Sequence, residues 1–432
     1  MKQYSVILIG AGSRGMAYTK IMKNCPDKFK VVAVADPIKS RREFICREHN
    51  IGEEMCFSSW AEALSLPKLA DVALICTMDN EHYEPAMRAI ELGYDILLEK
   101  PVAQTAKECA DIALLAEKKE VKVLVCHVLR YTPFYKKVKE LLLADTIGDV
   151  MSAMAVEAVG HTHQSHSYVR GNWHSEEETT PMLLAKSCHD IDIIQWLLGK
   201  PCKKVQSFGK LSYFCADNAP VGAPVRCIDG GCPIEATCPY NCKKLYYDDK
   251  NNQWFRKAST RGIAKGEIPT DDEVMEALKT TDYGLCVFHA NNNVVDHQVV
   301  NMEFEGGATV SFTMNAFNRG GRYIRLFGTK GELYAYAGDD NITIFTFEDE
   351  KIQKIPIPKA DESITSGHGG GDMGIVGEFY DYLGGNYIGF CAADINTSVK
   401  NHLIGFAAEK ARRAGMVEDV DTFFALYGFT NR

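Results

Sequence analysis

The chain has 432 residues, 46% apolar and 24% charged, and its 48 Lys/Arg against 57 Asp/Glu leave a net charge of −9. That composition excludes a disordered or fibrous chain and a broad basic face for nucleic acid, and the length implies two or three domains. No run of about 18 apolar residues is present and the start lacks a signal-peptide pattern, so no membrane contact is expected, and a cytoplasmic location with all 15 cysteines reduced.

Val6–Ile9, Val31–Ala35, Val72–Cys76, Ile96–Leu98 and Val123–Cys126 read as buried strands, with helical patterns such as Glu84–Leu92 and Ala106–Lys119 between them. Alternating β and α with continuously apolar strands predicts an α/β fold, a parallel sheet covered on both faces, over residues 1–148. From Asp149 the rhythm changes. Val150–Val159 alternates as a strand, and Met182–Leu198 reads as one helix closed by Gly199. Val299–Phe304 and Ala308–Phe312 flank Glu305-Gly306-Gly307, a hairpin signal. Tyr323–Phe327, Glu332–Tyr336, Ile342–Phe347 and Ile352–Ile357 follow as strands, then helices near Met373–Tyr382 and Ser398–Ala411 that pack back on the first domain. Residues 149–432 thus read as an α+β substrate-binding and oligomerisation domain on a large, mostly antiparallel open sheet. Cys215–Asn293 fits neither rhythm and reads as a Cys-rich insertion.

Gly10-Ala11-Gly12-Ser13-Arg14-Gly15 is a GxGxxG that follows a strand, opens a helix and precedes a second strand ending at Asp36. That context predicts a Rossmann dinucleotide site. The first glycine allows the tight turn, the second a close approach to pyrophosphate, and the third close helix–strand packing. Asp36 accepts the adenosine ribose hydroxyls and repels a 2′-phosphate, so NAD is favoured over NADP, although Arg41 and Arg42 follow closely.

Glu99-Lys100-Pro101 ends a buried strand; on composition alone Glu99 and Lys100 form a surface ion pair. After a dinucleotide motif, however, the tripeptide resembles the signature of the glucose-fructose oxidoreductase / inositol dehydrogenase / rhizopine-catabolism (Gfo/Idh/MocA) family. Thr77-Met78-Asp79-Asn80-Glu81-His82 resembles that family's Thr-Pro-Asn-x-x-His, with Met78 and Asp79 replacing Pro and Asn. Arg130, in Leu129-Arg130-Tyr131-Thr132-Pro133, matches the arginine after the last Rossmann strand. Ser187-Cys188-His189-Asp190-Ile191-Asp192 resembles Gly-x-His-x-x-Asp, with Ser187 at the glycine, and Gly328-Thr329-Lys330-Gly331 resembles Gly-Thr-x-Gly. The typical pattern does not cover the insertion. The resemblance implies an NAD enzyme in which Lys100 and His189 act in proton transfer. It implies cofactor contacts from Gly10, Gly12, Ser13, Arg14, Gly15, Asp36, Thr77, His82, Glu99, Lys100 and Arg130. It further implies a small carbohydrate substrate and a homo-oligomer.

Ala185, His189 and Asp192 stand at i, i+4 and i+7, Lys186 pairs with Asp190, and Lys186 and Asp192 are read as substrate contacts. Inositol-dehydrogenase-like members carry Asp where this chain has Ala185. Lys186 instead adds a second cation beside Lys100, which is expected to favour an anionic substrate group such as a carboxylate or sulfonate. The segment His161–His174 is dense in His, Arg and aromatics; Arg170, Trp173 and His174 suit a sugar site. His161, His163 and His166 could also suggest a metal, which the family's hydride chemistry does not need. Asp372 is read either as the N-cap of the next helix or, with His368, as a substrate contact. Asp296 and His297 are weaker pocket candidates, and Arg322 and Arg325 read as solvent-facing.

Cys227, Cys232, Cys238 and Cys242, spaced x4, x5 and x3, leave structural zinc, plain thiols and disulfides all open. Three functions compete: an NAD-dependent dehydrogenase of a sugar, inositol or sugar acid; a redox-neutral glycoside hydrolase working through a transient keto-sugar; and a dinucleotide-sensing regulator without turnover. Intact Lys100 and His189 argue against the last.

Overall fold

The structure is a computed structural model and describes residues 2–264, 268–359, 368–385 and 389–431; the His368 side chain lies outside what is described. Strands β1 (Tyr4–Ile9), β2 (Phe29–Ala35), β3 (Cys56–Phe57), β4 (Val72–Ile75), β5 (Asp95–Leu98) and β6 (Val123–Val125) form a parallel sheet in the order β3-β2-β1-β4-β5-β6. Every residue of β4 is buried, which is why the strand reads as an unbroken apolar run. Helices α1 (Ser13–Lys23), α2 (Lys39–His49), α3 (Trp60–Ser65), α4 (Tyr83–Glu91), α5 (Ala106–Lys119) and α6 (Pro133–Leu143) accompany the sheet. The strand order reverses between β1 and β4, so a ligand crevice belongs outside the carboxyl ends there.

The second half holds β7 (Val150–Ala158), a short α7 (His161–His163), α8 (Met182–Ala185), α9 (Cys188–Leu198) and β8 (Cys202–Lys210). The insertion contributes α10 (Gln253–Ser259) and α11 (Asp271–Thr280). Then come β9 (His297–Phe304), β10 (Thr309–Asn315), β11 (Gly321–Gly328), β12 (Gly331–Tyr336), β13 (Asn341–Thr346) and β14 (Lys351–Pro356). Helix α12 (Gly371–Gly384), helix α13 (Ile395–Ala414), the two-residue β15 (Glu418–Asp419) and α14 (Val420–Ala425) end the chain. The nine strands run β14-β13-β12-β11-β7-β10-β9-β8-β15, antiparallel except for the β7–β10 pair. α12 packs on α1, and α13 packs on α5, α9 and β8, so the late helices bind the two halves together.

Three expectations change. The single helix over Met182–Leu198 is broken: α8 ends at Ala185 and α9 restarts at Cys188, with Ser187 outside helical geometry. Strand β8 was not foreseen, because its lysines Lys203, Lys204 and Lys210 mask the alternation. The thiols are not all free. Cys46 in α2 and Cys56 in β3 are joined as a disulfide, because the α2–β3 packing sets their Cα atoms 6.9 Å apart.

One apolar core runs through both sheets, and two small satellite clusters lie under the insertion. Among the described residues, no helix is long and apolar enough to cross a membrane.

Candidate active site

The chain leaves β1 through Gly10-Ala11-Gly12 into α1. Gly10 has φ +91°, and a Cβ there would sit 2.5 Å from the Cys76 carbonyl oxygen. A Cβ on Gly15 would lie 2.2 Å from Gly10 O, so that glycine lets α1 pack on the strand. Gly12 differs: no heavy atom lies within 4 Å of a Cβ built on it, and it caps α1 without a side-chain bond. Its backbone and the amides of the first turn form a cradle that fits a pyrophosphate. Asp36, buried at the end of β2, accepts from the Ala11 amide at 2.7 Å and the Ile38 amide at 2.8 Å. Arg42 donates to the Asp36 carbonyl at 2.5 Å, and Arg41 stands 3.9 Å from the carboxylate. Each carboxylate oxygen keeps a lone pair for a ribose hydroxyl.

Glu99 and Lys100 follow β5. Buried Glu99 accepts from Arg14 Nε at 2.7 Å, from the Tyr18 hydroxyl at 2.8 Å and from the Lys100 amide at 2.9 Å. Burial pushes its carboxyl upward, but Arg14, Lys100 and the bonds from Arg14 and Tyr18 hold it below the ordinary carboxylate range. Arg14 also donates both Nη groups to Asp372, at 2.9 and 2.7 Å. Arg14 thus leaves the phosphate loop to clamp β5 and α12. Asp372 is neither an N-cap nor a substrate contact, because Gly370 caps α12 and the Asp372 carboxylate is committed to Arg14. His82 lies between the Pro101 carbonyl at 2.6 Å and the Thr77 carbonyl at 3.3 Å, and Thr77 Oγ1 donates to Glu81 O. These two residues brace the loop after β4 against the Lys100-Pro101 turn.

Lys100 Nζ donates to the Ala185 carbonyl at 2.8 Å. An unbroken helix would give that carbonyl to the His189 amide; the break at Lys186-Ser187 offers it to the ammonium. Lys186 Nζ lies 3.4 Å from Glu157 Oε1, and Arg322 binds Glu157 at 2.7 Å and Asp190 at 2.8 Å. Burial pulls the Lys186 pKa down, Arg322 and Lys100 add to this, and Glu157 and Asp190 oppose it. His163 faces the same cations; burial, then Lys186, His166, Arg322 and Lys100, keeps it neutral well below its usual range. Asp79 receives Trp173 Nε1–H at 3.1 Å; burial raises its pKa against Lys100, His82 and that bond.

His189 sets its ring at 83° and 5.9 Å to His127, whose Nδ1 is 3.6 Å from Asp192. Asp192 is held bidentately by Arg130, at 2.8 and 2.6 Å, and by Asn401 at 2.6 Å. The pair neutralises itself in the core, so the cofactor contact expected of Arg130 and the substrate contact expected of Asp192 are both replaced by a structural tie. Arg170 also departs from expectation. It is buried under the insertion and donates to the Leu285 and Tyr240 carbonyls at 2.7 and 2.8 Å. His174 turns to the Gly171 carbonyl at 2.9 Å and to Glu178. The rings of Trp173, Tyr168, His163 and Trp254 succeed one another at 6.1, 5.8 and 5.4 Å, forming a wall from Asp79 to solvent, where Trp254 is 55% exposed.

His161, His163 and His166 do not converge: His161 faces the Asn318 carbonyl, His163 the lysines, and His166 the Tyr246 hydroxyl. Cys242 is fully buried behind Cys227 rather than beside Cys232 and Cys238. Among the described residues, no three His, Cys, Asp or Glu side chains stand at metal-ligand spacing. The sequence reading missed Asp79, Glu157 and His127 and misplaced Arg322, which is half-buried against Glu157 and Asp190. A lone acid in the apolar β7 was the legible signal for Glu157. His127 gave none, because its partners come from α9.

Residues 4–127 match the oxidoreductase family with an NAD-binding Rossmann fold, and residues 139–393 match that family's C-terminal α/β domain. The chain is 25% identical over 313 residues to the putative oxidoreductase YteT of Bacillus subtilis, covering 70% of each protein. It is 25% identical to the 2,7-anhydro-N-acetylneuraminate hydratase of Escherichia coli, covering 47% of this chain and 51% of that protein. It is 26% identical to inositol 2-dehydrogenase 1 of Saccharopolyspora erythraea, covering 46% of this chain and 55% of that protein. Among solved structures, levoglucosan dehydrogenase with NADH and L-sorbose superposes with a TM-score of 0.69 at 17% identity, covering 97% of this chain and 99% of that one. An Agrobacterium radiobacter oxidoreductase with NAD+, L-tartaric acid and magnesium superposes at 0.68 and 13% identity, covering 98% and 99%. At such identities the superpositions show the fold alone.

Proposed function

The chain belongs to the Gfo/Idh/MocA family of oxidoreductases, and from that premise we propose that it is an NAD-dependent dehydrogenase of a sugar, inositol or sugar acid. A bound nicotinamide supplies the hydride acceptor. The residues of the chain supply position and proton handling. The observation that carries the reading is Lys100. It ends a central strand at the ligand side of the sheet, is oriented by the Ala185 carbonyl, and sits beside Lys186 and Asp79. A substrate hydroxyl that displaces Ala185 O gives its proton to Lys100 or takes one from it. His189 lies one ring contact from buried His127 and assists from the α9 side. Asp36 favours NAD over NADP, and Arg41 and Arg42 are drawn towards Asp36 itself.

The aromatic wall ending at Trp254 favours a second reading, redox-neutral cleavage of a glycoside, because a row of aromatic rings suits a substrate longer than one sugar. Incubation with NAD and a panel of sugars, sugar acids and aryl glycosides separates the two. Net NADH supports the dehydrogenase. Released aglycone without net NADH supports cleavage. If neither appears across the panel, both readings fall.

The outer face of the nine-stranded sheet aligns Phe208, Val299, Val156, Tyr323 and Tyr336 in one cross-strand row, with Met154 and Tyr334 in the next. Phe208 and Met154 are each 55% exposed. That face supports a homo-oligomer.

A further inference from the structure

Cys227, Cys232, Cys238 and Cys286 line one small pocket of the insertion, partly open to solvent. Cys286 lies outside the cluster of cysteines visible in the sequence. It arrives because Arg226 and Leu285 pair as an antiparallel bridge and the Cys286 amide donates to Val225 O at 2.9 Å. That short ribbon sets Cys286 opposite Val225, on the same face as Cys227 and diagonal to it. Cys232 and Cys238 sit at the two ends of a compact turn, closed by Glu235 N–H to Cys232 O at 3.1 Å and Cys238 N–H to Ile234 O at 2.8 Å. Each is followed by proline.

Cys227 Sγ accepts from the Cys242 amide at 3.4 Å. Amides directed at sulfur stabilise a thiolate and do little for a neutral thiol. Below them lies Arg170. Its guanidinium is anchored on the Tyr240 and Leu285 carbonyls, each beside a cavity cysteine segment, and its buried Nη1 has no hydrogen-bond partner among the described residues. A buried cation with this placement is unexplained if the thiols stay protonated. It offsets negative charge if they do not. Cys242 is different: it is completely buried in a satellite core with Tyr246 and Phe255, and it meets the cavity only through Cys227.

We propose that the insertion binds one zinc ion through Cys227, Cys232, Cys238 and Cys286. The four thiols release their protons and form a tetrahedral sphere of net charge −2, which Arg170 partly balances. The side chains stand too far apart for ligation as they are, and rotation about χ1 carries them into the cavity they already line. The ion supplies what the insertion's own apolar content does not: its two satellite clusters are small, and most of the cavity loop is half-buried or exposed.

The test is elemental analysis of wild type, Cys286→Ser and Cys242→Ser, purified without chelator or a metal-affinity column. The wild type should carry about one zinc per chain, Cys286→Ser should lose it, and Cys242→Ser should keep it. Far-UV circular dichroism and NAD binding report whether Cys286→Ser is folded. If it is not, cobalt exchanged into the wild type gives a second readout, a sulfur-to-metal charge-transfer band scaling with four thiolates. Less than about a tenth of an equivalent of zinc in the folded wild type overturns the site. So does iron with acid-labile sulfide, which would mean a cluster. So does retention in Cys286→Ser with loss in Cys242→Ser.

Discussion

Asp192→Ala tests the tie between the two halves of the molecule. Arg130 lies at the exit of β6 and Asp192 on α9; both are almost fully buried, and Asn401 of α13 adds a third element. Removing the carboxylate leaves a buried guanidinium with the Ala392 carbonyl at 3.1 Å, the Cys391 carbonyl at 3.4 Å and the Trp196 ring, but without its opposite charge. Breaking a buried pair in this way costs about 3–5 kcal/mol, far above the roughly 0–1 kcal/mol of a surface pair. At about 2 °C per kcal/mol for a large domain, the melting temperature should fall by roughly 6–10 °C. Arg130→Met should cost a similar amount, because it strands Asp192 instead. The double variant Arg130→Met/Asp192→Leu should recover much of the loss, since neither charge is then stranded. Thermal melts by circular dichroism on the three variants give the cycle. A loss below about 1 kcal/mol for Asp192→Ala, or strictly additive losses, would refute the reasoning.

The glycine loop separates folding from binding. Gly12→Ala should leave the melting temperature within about 1 °C, since its Cβ meets nothing, yet weaken NAD binding by tenfold or more in a fluorescence titration. Gly15→Ala should instead destabilise the fold, since its Cβ would stand 2.2 Å from Gly10 O. Burial pulls His127 down to about 4 and His402 down to about 3, with His127 lowering His402 further. Unfolded histidines titrate near about 6.5, so between that pH and 4 the unfolded chain takes up protons that the folded chain refuses. Stability is therefore full above about 6.5 and falls as pH drops towards 4; urea midpoints at pH 7.5 and 5 should differ, and a flat profile would contradict this. Protonating His402 also removes the acceptor of the Val102 amide, at 3.1 Å.

The Rossmann half was legible because its strands are buried on both faces and its glycine loop is a local pattern. The strand-end positions of Lys100, Glu99 and Asp36 were legible for the same reason. What escaped was non-local. Arg14 finds Asp372 from the far end of the chain, and Arg130 finds Asp192 across two domains, so spacing could not reveal that these residues satisfy each other. The helix break at Lys186-Ser187 escaped because Met182–Leu198 has no proline or glycine within it and its apolar residues keep a helical spacing across the break. Arg322 read as exposed because its acids, Glu157 and Asp190, come from β7 and α9. Cys286 escaped because only the bridge between Arg226 and Leu285 brings it to the other thiols.

The central claim is that Lys100 moves the substrate proton, and Lys100→Met tests it most directly. The variant should bind NAD with nearly wild-type affinity, because Lys100 Nζ points to Ala185 O and not to the glycine cradle. Its kcat on the substrate that the panel identifies should fall by about 10²–10⁴-fold, with the loss largest at low pH for oxidation, where a hydroxyl proton is hardest to lose unaided. Wild-type kcat in a folded, NAD-binding Lys100→Met protein would contradict the account.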